Sequence, residues 1–165
     1  MSNYRFYLMT KNIATQISTW KYEDPYSFYN MDESDECISE LLSDEYYYVT
    51  NDQNALIGFL CSGNSARVSG GYKAGLYNDN EILDIGLGMT PEITGLGKGQ
   101  EFLINSILFL KENFKVQKFQ LVVAEFNERA IKVYERAGFM KGMNFKSKVK
   151  TQEVDFIVMN YTNHE

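Results

Sequence analysis

The chain has 165 residues, of which 44% are hydrophobic, 23% charged and only two Pro, a composition too apolar for disorder and too poor in Pro and Gly for a linker or fibre. Sixteen Lys and Arg against 22 Asp and Glu leave a net charge of −6, which counts against nucleic-acid binding, because phosphate backbones are gripped by clustered cations. A single His at the tail (His164) and two distant cysteines (Cys37 and Cys61) make neither a zinc ligand set nor a disulfide scaffold, so no metal is expected and reduced thiols in the cytoplasm are.

The length suits one domain, expected to span residues 1–165, since no repeat, low-complexity tract or composition break marks a linker. No apolar run approaches the roughly 20 residues of a membrane helix, and the start, Met1-Ser2-Asn3-Tyr4-Arg5-Phe6, lacks the layout of a signal peptide. In chain order, Tyr4 to Leu8 reads as a short aromatic strand. Thr10 can cap a helix running to about Trp20, with Ile13, Ile17 and Trp20 on one face. An irregular aromatic stretch around Pro25 follows, and Ser34 opens a second helix that aligns Cys37, Ile38, Leu41 and Leu42. Tyr46–Val49 and Leu56–Cys61 read as strands joined by the turn residues Asn51-Asp52-Gln53-Asn54, followed by a connection of small residues from Gly63 to Gly75. Glu81 to Met89 alternates as a strand that Pro91 stops; about Gly97 to Phe114 is helical; Phe119 to Phe126 is β-rich. Asn127 begins a short helix ending at Gly138, and strands near Met143–Val149 and Val154–Tyr161 complete the order βααβββαβαββ, an α+β fold with a mixed sheet.

The most informative stretch is Met89-Thr90-Pro91-Glu92-Ile93-Thr94-Gly95-Leu96-Gly97-Lys98-Gly99-Gln100, a strand leading into alternating glycines and out into a helix. Glycines allow close backbone approach, and the free N–H groups of a first helical turn point at a ligand with the positive dipole end, which makes an anion site suited to phosphate. A polyphosphate can thus be held by local amides and Lys98 despite the net negative charge. The P-loop pattern fails, with Glu92 at its early glycine and Gly99 where Ser or Thr belongs; the dinucleotide fingerprint fails at Gln100. A turn that merely packs a helix on a sheet is the alternative reading.

This spacing resembles the GNAT superfamily of N-acetyltransferases, whose pattern is Arg/Gln-x-x-Gly-x-Gly/Ala at a helix start, with a Pro shortly before. Pro91, Gly95, Gly97 and Gly99 match, while Thr94 stands where Arg or Gln is usual. Asn127-Glu128-Arg129-Ala130 through Tyr134 to Gly138-Phe139 is similar to the family's Asn-x-x-Ala-x-x-x-Tyr-x-x-x-Gly-Phe segment, and the strand Leu83–Met89 resembles that of the ribosomal-protein and polyamine acetyltransferase branch. The resemblance covers about residues 81–140. It implies a mostly antiparallel, splayed central sheet flanked by helices, acetyl-CoA as co-substrate, and transfer of the acetyl group to a primary amine by direct attack. It also implies roles: backbone groups of Leu87, Gly88 and Met89 toward the pantetheine arm; Thr94, Gly95, Gly97, Lys98 and Gly99 toward the phosphates; Asn127 toward the arm; Tyr134 as general acid; Asp84 as base, ahead of Glu81 and Glu125.

Read without the resemblance, Tyr134 shares a helix face with Ala130 and Ala137 and equally fits core packing, Asn127 fits an ordinary N-cap, and Asp84 an exposed carboxylate. Between Asp32 and Glu45 stand seven acidic residues and no basic one, near Trp20, Tyr22 and Tyr29. An acidic rim with aromatic walls would draw in a cationic amine, such as a polyamine, an aminoglycoside or a peptide amino terminus; a solvated helix face beside core aromatics explains the same residues. A monomer or homodimer is expected, with no nucleic-acid or membrane partner. A non-catalytic acyl-CoA-binding sensor or scaffold of the same fold is the rival reading.

Overall fold

The computed structural model describes residues 4–162; His164 and the opening Met1–Asn3 lie outside the described residues. The strands β1 (Arg5–Leu8), β2 (Tyr46–Thr50), β3 (Leu56–Ser62), β4 (Ile82–Met89), β5 (Lys118–Ala124), β6 (Met140–Val149) and β7 (Gln152–Thr162) stand in the sheet order β1-β2-β3-β4-β5-β7-β6, and the chain divides into two compact units, Met1–Cys61 with Leu87–Lys98, and Ser62–Gly86 with Gly99–Glu165.

In the first unit, β1 (Arg5–Leu8), β2 (Tyr46–Thr50) and β3 (Leu56–Ser62) pair antiparallel in succession. The β2–β3 turn closes because the Asn51 carboxamide oxygen accepts from the N–H groups of Gln53 and Ala55 at 2.9 and 3.0 Å, an Asx turn at the predicted place. Helix α1 (Lys11–Ser18) starts where Thr10 accepts from Ile13 N–H, and α2 (Asp35–Leu41) where Ser34 accepts from Cys37 N–H, each hydroxyl satisfying a donor that the first turn leaves unpaired. Ala14, Ile17, Leu41, Val49, Ile57 and Leu60 are buried as this unit's core.

The second unit holds the start of β4 (Ile82–Met89), which pairs in parallel with β5 (Lys118–Ala124) from Ile82↔Lys118 to Asp84↔Gln120, while β5 runs antiparallel to β7 (Gln152–Thr162) along its full length. The edge strand β6 (Met140–Val149) pairs antiparallel with β7 across a register shift between Lys141 and Asn144. Helices α4 (Gly99–Phe114) and α5 (Glu128–Arg136) bury Phe102, Leu103, Ile107, Leu110 and Ile131, and the sheet face that carries Phe119, Leu121, Ile157 and Met159 is buried as well. Helix α5 ends with Phe139 N–H on the Tyr134 carbonyl and Gly138 N–H on that of Glu135, Gly138 having φ 109°; this paired closure is the glycine stop read from sequence.

Among the described residues, one α-helix is additional to the predicted order. Ser69–Lys73 forms a short helix, α3, in what local propensity reads as a connection. Gly70 N–H donates to the buried Ser147 hydroxyl at 2.8 Å, so β6 helps to hold a turn whose own residues, two of them Gly, favour a helix only weakly.

Candidate active site

The glycine turn lies in the first unit. Thr90 N–H donates to the Ile57 carbonyl at 2.9 Å, anchoring the end of β4, and Ile93 N–H and Leu96 N–H then close successive turns on Thr90 and Ile93. Gly95 and Gly97 have φ of 81° and 77°, a region that a Cβ disfavours. At Gly97 a Cβ would meet no atom within 4 Å, so its space is open on the side where other residues would carry a side chain. The same positive φ moves the start of α4 to Gly99, two residues later than the spacing predicts. Lys98 therefore stands just before the helix and not in its first turn, exposed. Thr94 turns its hydroxyl inward, donating to the Pro91 carbonyl at 3.0 Å, so the side chain braces the turn.

Upstream, the Tyr22 hydroxyl donates to the Met89 carbonyl at 2.6 Å, and the half-buried Trp20 stacks on Phe59 with ring centroids 6.4 Å apart. A Cβ on Gly88 would lie 2.4 Å from the Phe59 ring, which explains a glycine there better than strand propensity does. Tyr29 is exposed and packs edge-on against Phe28. The acidic residues Asp32, Glu33, Asp35, Glu36, Glu40 and Asp44 are exposed, with Glu33 3.4 Å from Lys21 Nζ.

Burial raises the Tyr22 phenol to about 12, and it also pushes those of Tyr46 and Tyr77 up. An unfolded tyrosine loses its proton near pH 10, so the folded state is favoured while the phenols stay protonated. That contribution is complete below pH 10 and is lost as the pH rises toward 12. Tyr22 alone accounts for about 3 kcal/mol at the alkaline end, at about 1.4 kcal/mol per pKa unit. Melting curves between pH 9 and 12 should show this decline, and Tyr22→Phe should lessen it by the share that Tyr22 contributes.

In the second unit Asp84 is not the exposed carboxylate that single-residue statistics favour: it is 5% exposed. One oxygen accepts from Arg67 Nε at 2.8 Å and the other from Gln120 Nε2 at 2.8 Å. The Arg67 guanidinium lies over the rings of Tyr77 and Tyr72, 4.7 and 5.8 Å from their centroids. Desolvation pulls the guanidinium pKa down, but its hydrogen bonds and charge interactions with Asp84 and Tyr72 together outweigh this and hold it above its ordinary value. Arg67 and Gln120 were not singled out from sequence. The available signals were an Arg within a run of small residues and a Gln inside the apolar run Phe119–Ala124. Glu81 and Glu125 are exposed, the first 3.5 Å from Lys118 Nζ and the second accepting from the Asn144 amide.

Asn127 caps α5 by accepting from Ala130 N–H at 3.1 Å. Tyr134 is half-buried, its ring 6.2 Å from that of Phe139, so packing does not consume it entirely. Gly99 meets α5 directly: a Cβ there would come within 3.2 Å of Val133. Thus the structure joins Trp20 and Tyr22 to the end of β4 in one unit, and Asp84 to Arg67 and Gln120 in the other.

The sequence matches the acetyltransferase (GNAT) family over residues 12–139. The chain belongs to that family. It is an acyltransferase by that membership, with an element order that reproduces a GNAT fold. The GNAT family acetyltransferase of Bacillus anthracis is similar in structure, with a TM-score of 0.74 at 12% identity over 98% of this chain and 95% of that one. A chimera of the Vibrio cholerae spermidine N-acetyltransferase SpeG and hSSAT has a TM-score of 0.69 at 16% identity, over 98% and 96%. No curated protein matches the sequence significantly. Among the described residues no helix is long and apolar enough to cross a membrane, and no group of three His, Cys, Asp or Glu could hold a metal ion.

Proposed function

We propose that this GNAT protein is an acetyl-CoA-dependent N-acetyltransferase that moves the acetyl group to a primary amine by direct attack. The observation that carries the reading is the glycine turn Gly95–Gly99, whose two positive-φ glycines expose backbone immediately before a sixteen-residue helix. That is an arrangement for a polyphosphate tail. The thioester supplies an activated acetyl group. The chain binds its arm through backbone of Leu87, Gly88 and Met89 and through Asn127, and its phosphates at Thr94, Gly95, Gly97, Lys98 and Gly99. Thr94 contributes its backbone, since its hydroxyl is engaged by Pro91.

The neutral amine forms the new C–N bond as the C–S bond breaks. The Tyr134 hydroxyl gives its proton to the departing sulfur, and the proton released by the amine passes to Asp84, directly or through water. Each Asp84 oxygen keeps a second lone pair beside its bond to Arg67 or Gln120, so a proton can be accepted there with both hydrogen bonds in place. The acceptor class is a cationic amine, supported by the exposed acidic run Asp32–Asp44 and the aromatic side chains of Trp20, Tyr22 and Tyr29. The structural relative named for spermidine makes a polyamine the first amine to try. Cys37 and Cys61 form no disulfide in the structure, which suits a reducing compartment such as the cytoplasm.

A melt with saturating acetyl-CoA, against ATP and NAD as controls, tests the donor. At about 100 times the dissociation constant, binding adds about 2.7 kcal/mol, a shift of several degrees. A shift with acetyl-CoA alone is expected; none would overturn the reading. Tyr134→Phe should keep that shift and lose about 100-fold or more in turnover, and unchanged turnover would remove its acid role.

A further inference from the structure

Residues 19–34, between α1 and α2, hold only one short helical turn, Tyr26–Tyr29, yet they are cross-braced. Lys21 Nζ donates to the Met31 carbonyl at 2.9 Å and Tyr22 N–H to Asn30 Oδ1 at 2.7 Å, so the two limbs of the segment are tied at its base, as in an Ω-loop. At that base the Tyr22 hydroxyl reaches 67 positions along the chain to the Met89 carbonyl. Trp20, two residues earlier, stacks on Phe59, whose ring occupies the space a Gly88 side chain would need. Two aromatic residues of the segment, two positions apart, therefore register it against two adjacent residues of β4, one through a hydrogen bond and one through the Phe59 ring. The hydrogen bond is the directional member of the pair, because a stacked ring can slide while a 2.6 Å O–H···O contact fixes distance and angle.

We propose that Tyr22 is a positioning residue for the acceptor amine: its hydroxyl sets the aromatic segment 19–34 at one register against Gly88 and Met89, the strand residues that hold the thioester arm. This rests on the acetyltransferase reading and assigns a residue that sets where the amine is presented. A phenol buried enough to stay protonated far above neutral pH remains a donor throughout the working range. Losing the bond leaves the donor-binding backbone in place and loosens the wall against which the amine sits, so the amine side alone should suffer.

The test is steady-state kinetics of wild type, Tyr22→Phe and Asn30→Ala, with acetyl-CoA and either spermidine or a tetrapeptide with a free amino terminus. For Tyr22→Phe the KM for the amine should rise about tenfold, with the KM for acetyl-CoA within twofold of wild type. Asn30→Ala, which frees the base of the loop without touching the tyrosine, should give the same split at smaller size, and it carries the test if Tyr22→Phe fails to fold. Unchanged amine KM, or equal losses on both substrates, in an active enzyme overturns this inference and leaves the acetyltransferase reading standing. A wild type that acetylates neither probe amine overturns both.

Discussion

Arg67→Met is expected to destabilise the protein by about 3 kcal/mol, read as a lower denaturant midpoint at unchanged slope. The reason lies in what remains. Asp84 has a side chain only 6% exposed, and its partner Arg67 is 24% exposed. Removing the guanidinium leaves a buried carboxylate with the Gln120 amide as its remaining hydrogen bond of the pair described above, and truncating one member of a buried pair typically costs about 3–5 kcal/mol. The lower end applies because Arg67 reaches solvent and part of its attraction is screened. Asp84→Asn should cost less, about 1–2 kcal/mol, because the orphan is then a partly solvated Arg67 still stacked on Tyr77. Arg67→Met with Asp84→Leu should recover much of the loss, as apolar replacements of both partners commonly do. If the two single variants cost the same, the asymmetry in burial is not what governs the pair.

Gly70→Ala separates two physical effects of opposite sign. As an exposed helix substitution, Gly to Ala would stabilise by about 1 kcal/mol. Here the new Cβ would lie 2.1 Å from the Lys146 carbonyl oxygen and 2.6 Å from Ser147 Cβ. The nearest obstacle is backbone in the paired strand β6, which cannot rotate away. Overpacking of this kind costs about 1–3 kcal/mol, and the bond from Gly70 N–H to Ser147 Oγ lengthens with it. The expected net is a loss of about 2 kcal/mol in chemical denaturation. A gain would show that α3 is loosely seated and that β6 does not hold it. Ser147→Ala, which removes the acceptor without a clash, should cost about 1 kcal/mol.

Most of the architecture was legible because its signals are short-range. Thr10, Ser34 and Asn127 cap helices where their hydroxyl or amide oxygen can reach an N–H three residues on. Gly138 stops α5, and the strands follow apolar alternation and turn residues. The glycine turn was legible for the same reason, since positive φ at Gly95 and Gly97 is a local demand that only certain residues meet cheaply. One detail shifted: because Gly97 is not helical, α4 begins at Gly99 and Lys98 precedes it.

What sequence by itself determined is thus the set of elements, their order, and the two motifs that place the chain among acetyltransferases. Only tertiary structure decided that Ser69–Lys73 is helical, that Asp84 is buried between Arg67 and Gln120, and that Tyr22 is tied to Met89. Those partners stand 17, 36 and 67 positions apart. A cap or a turn is governed by neighbours within four residues, whose geometry the backbone dictates. The partner of a buried charge or hydroxyl is whatever the folded chain brings to it, so the same Asp reads as a solvated surface residue until Arg67 and Gln120 are seen beside it.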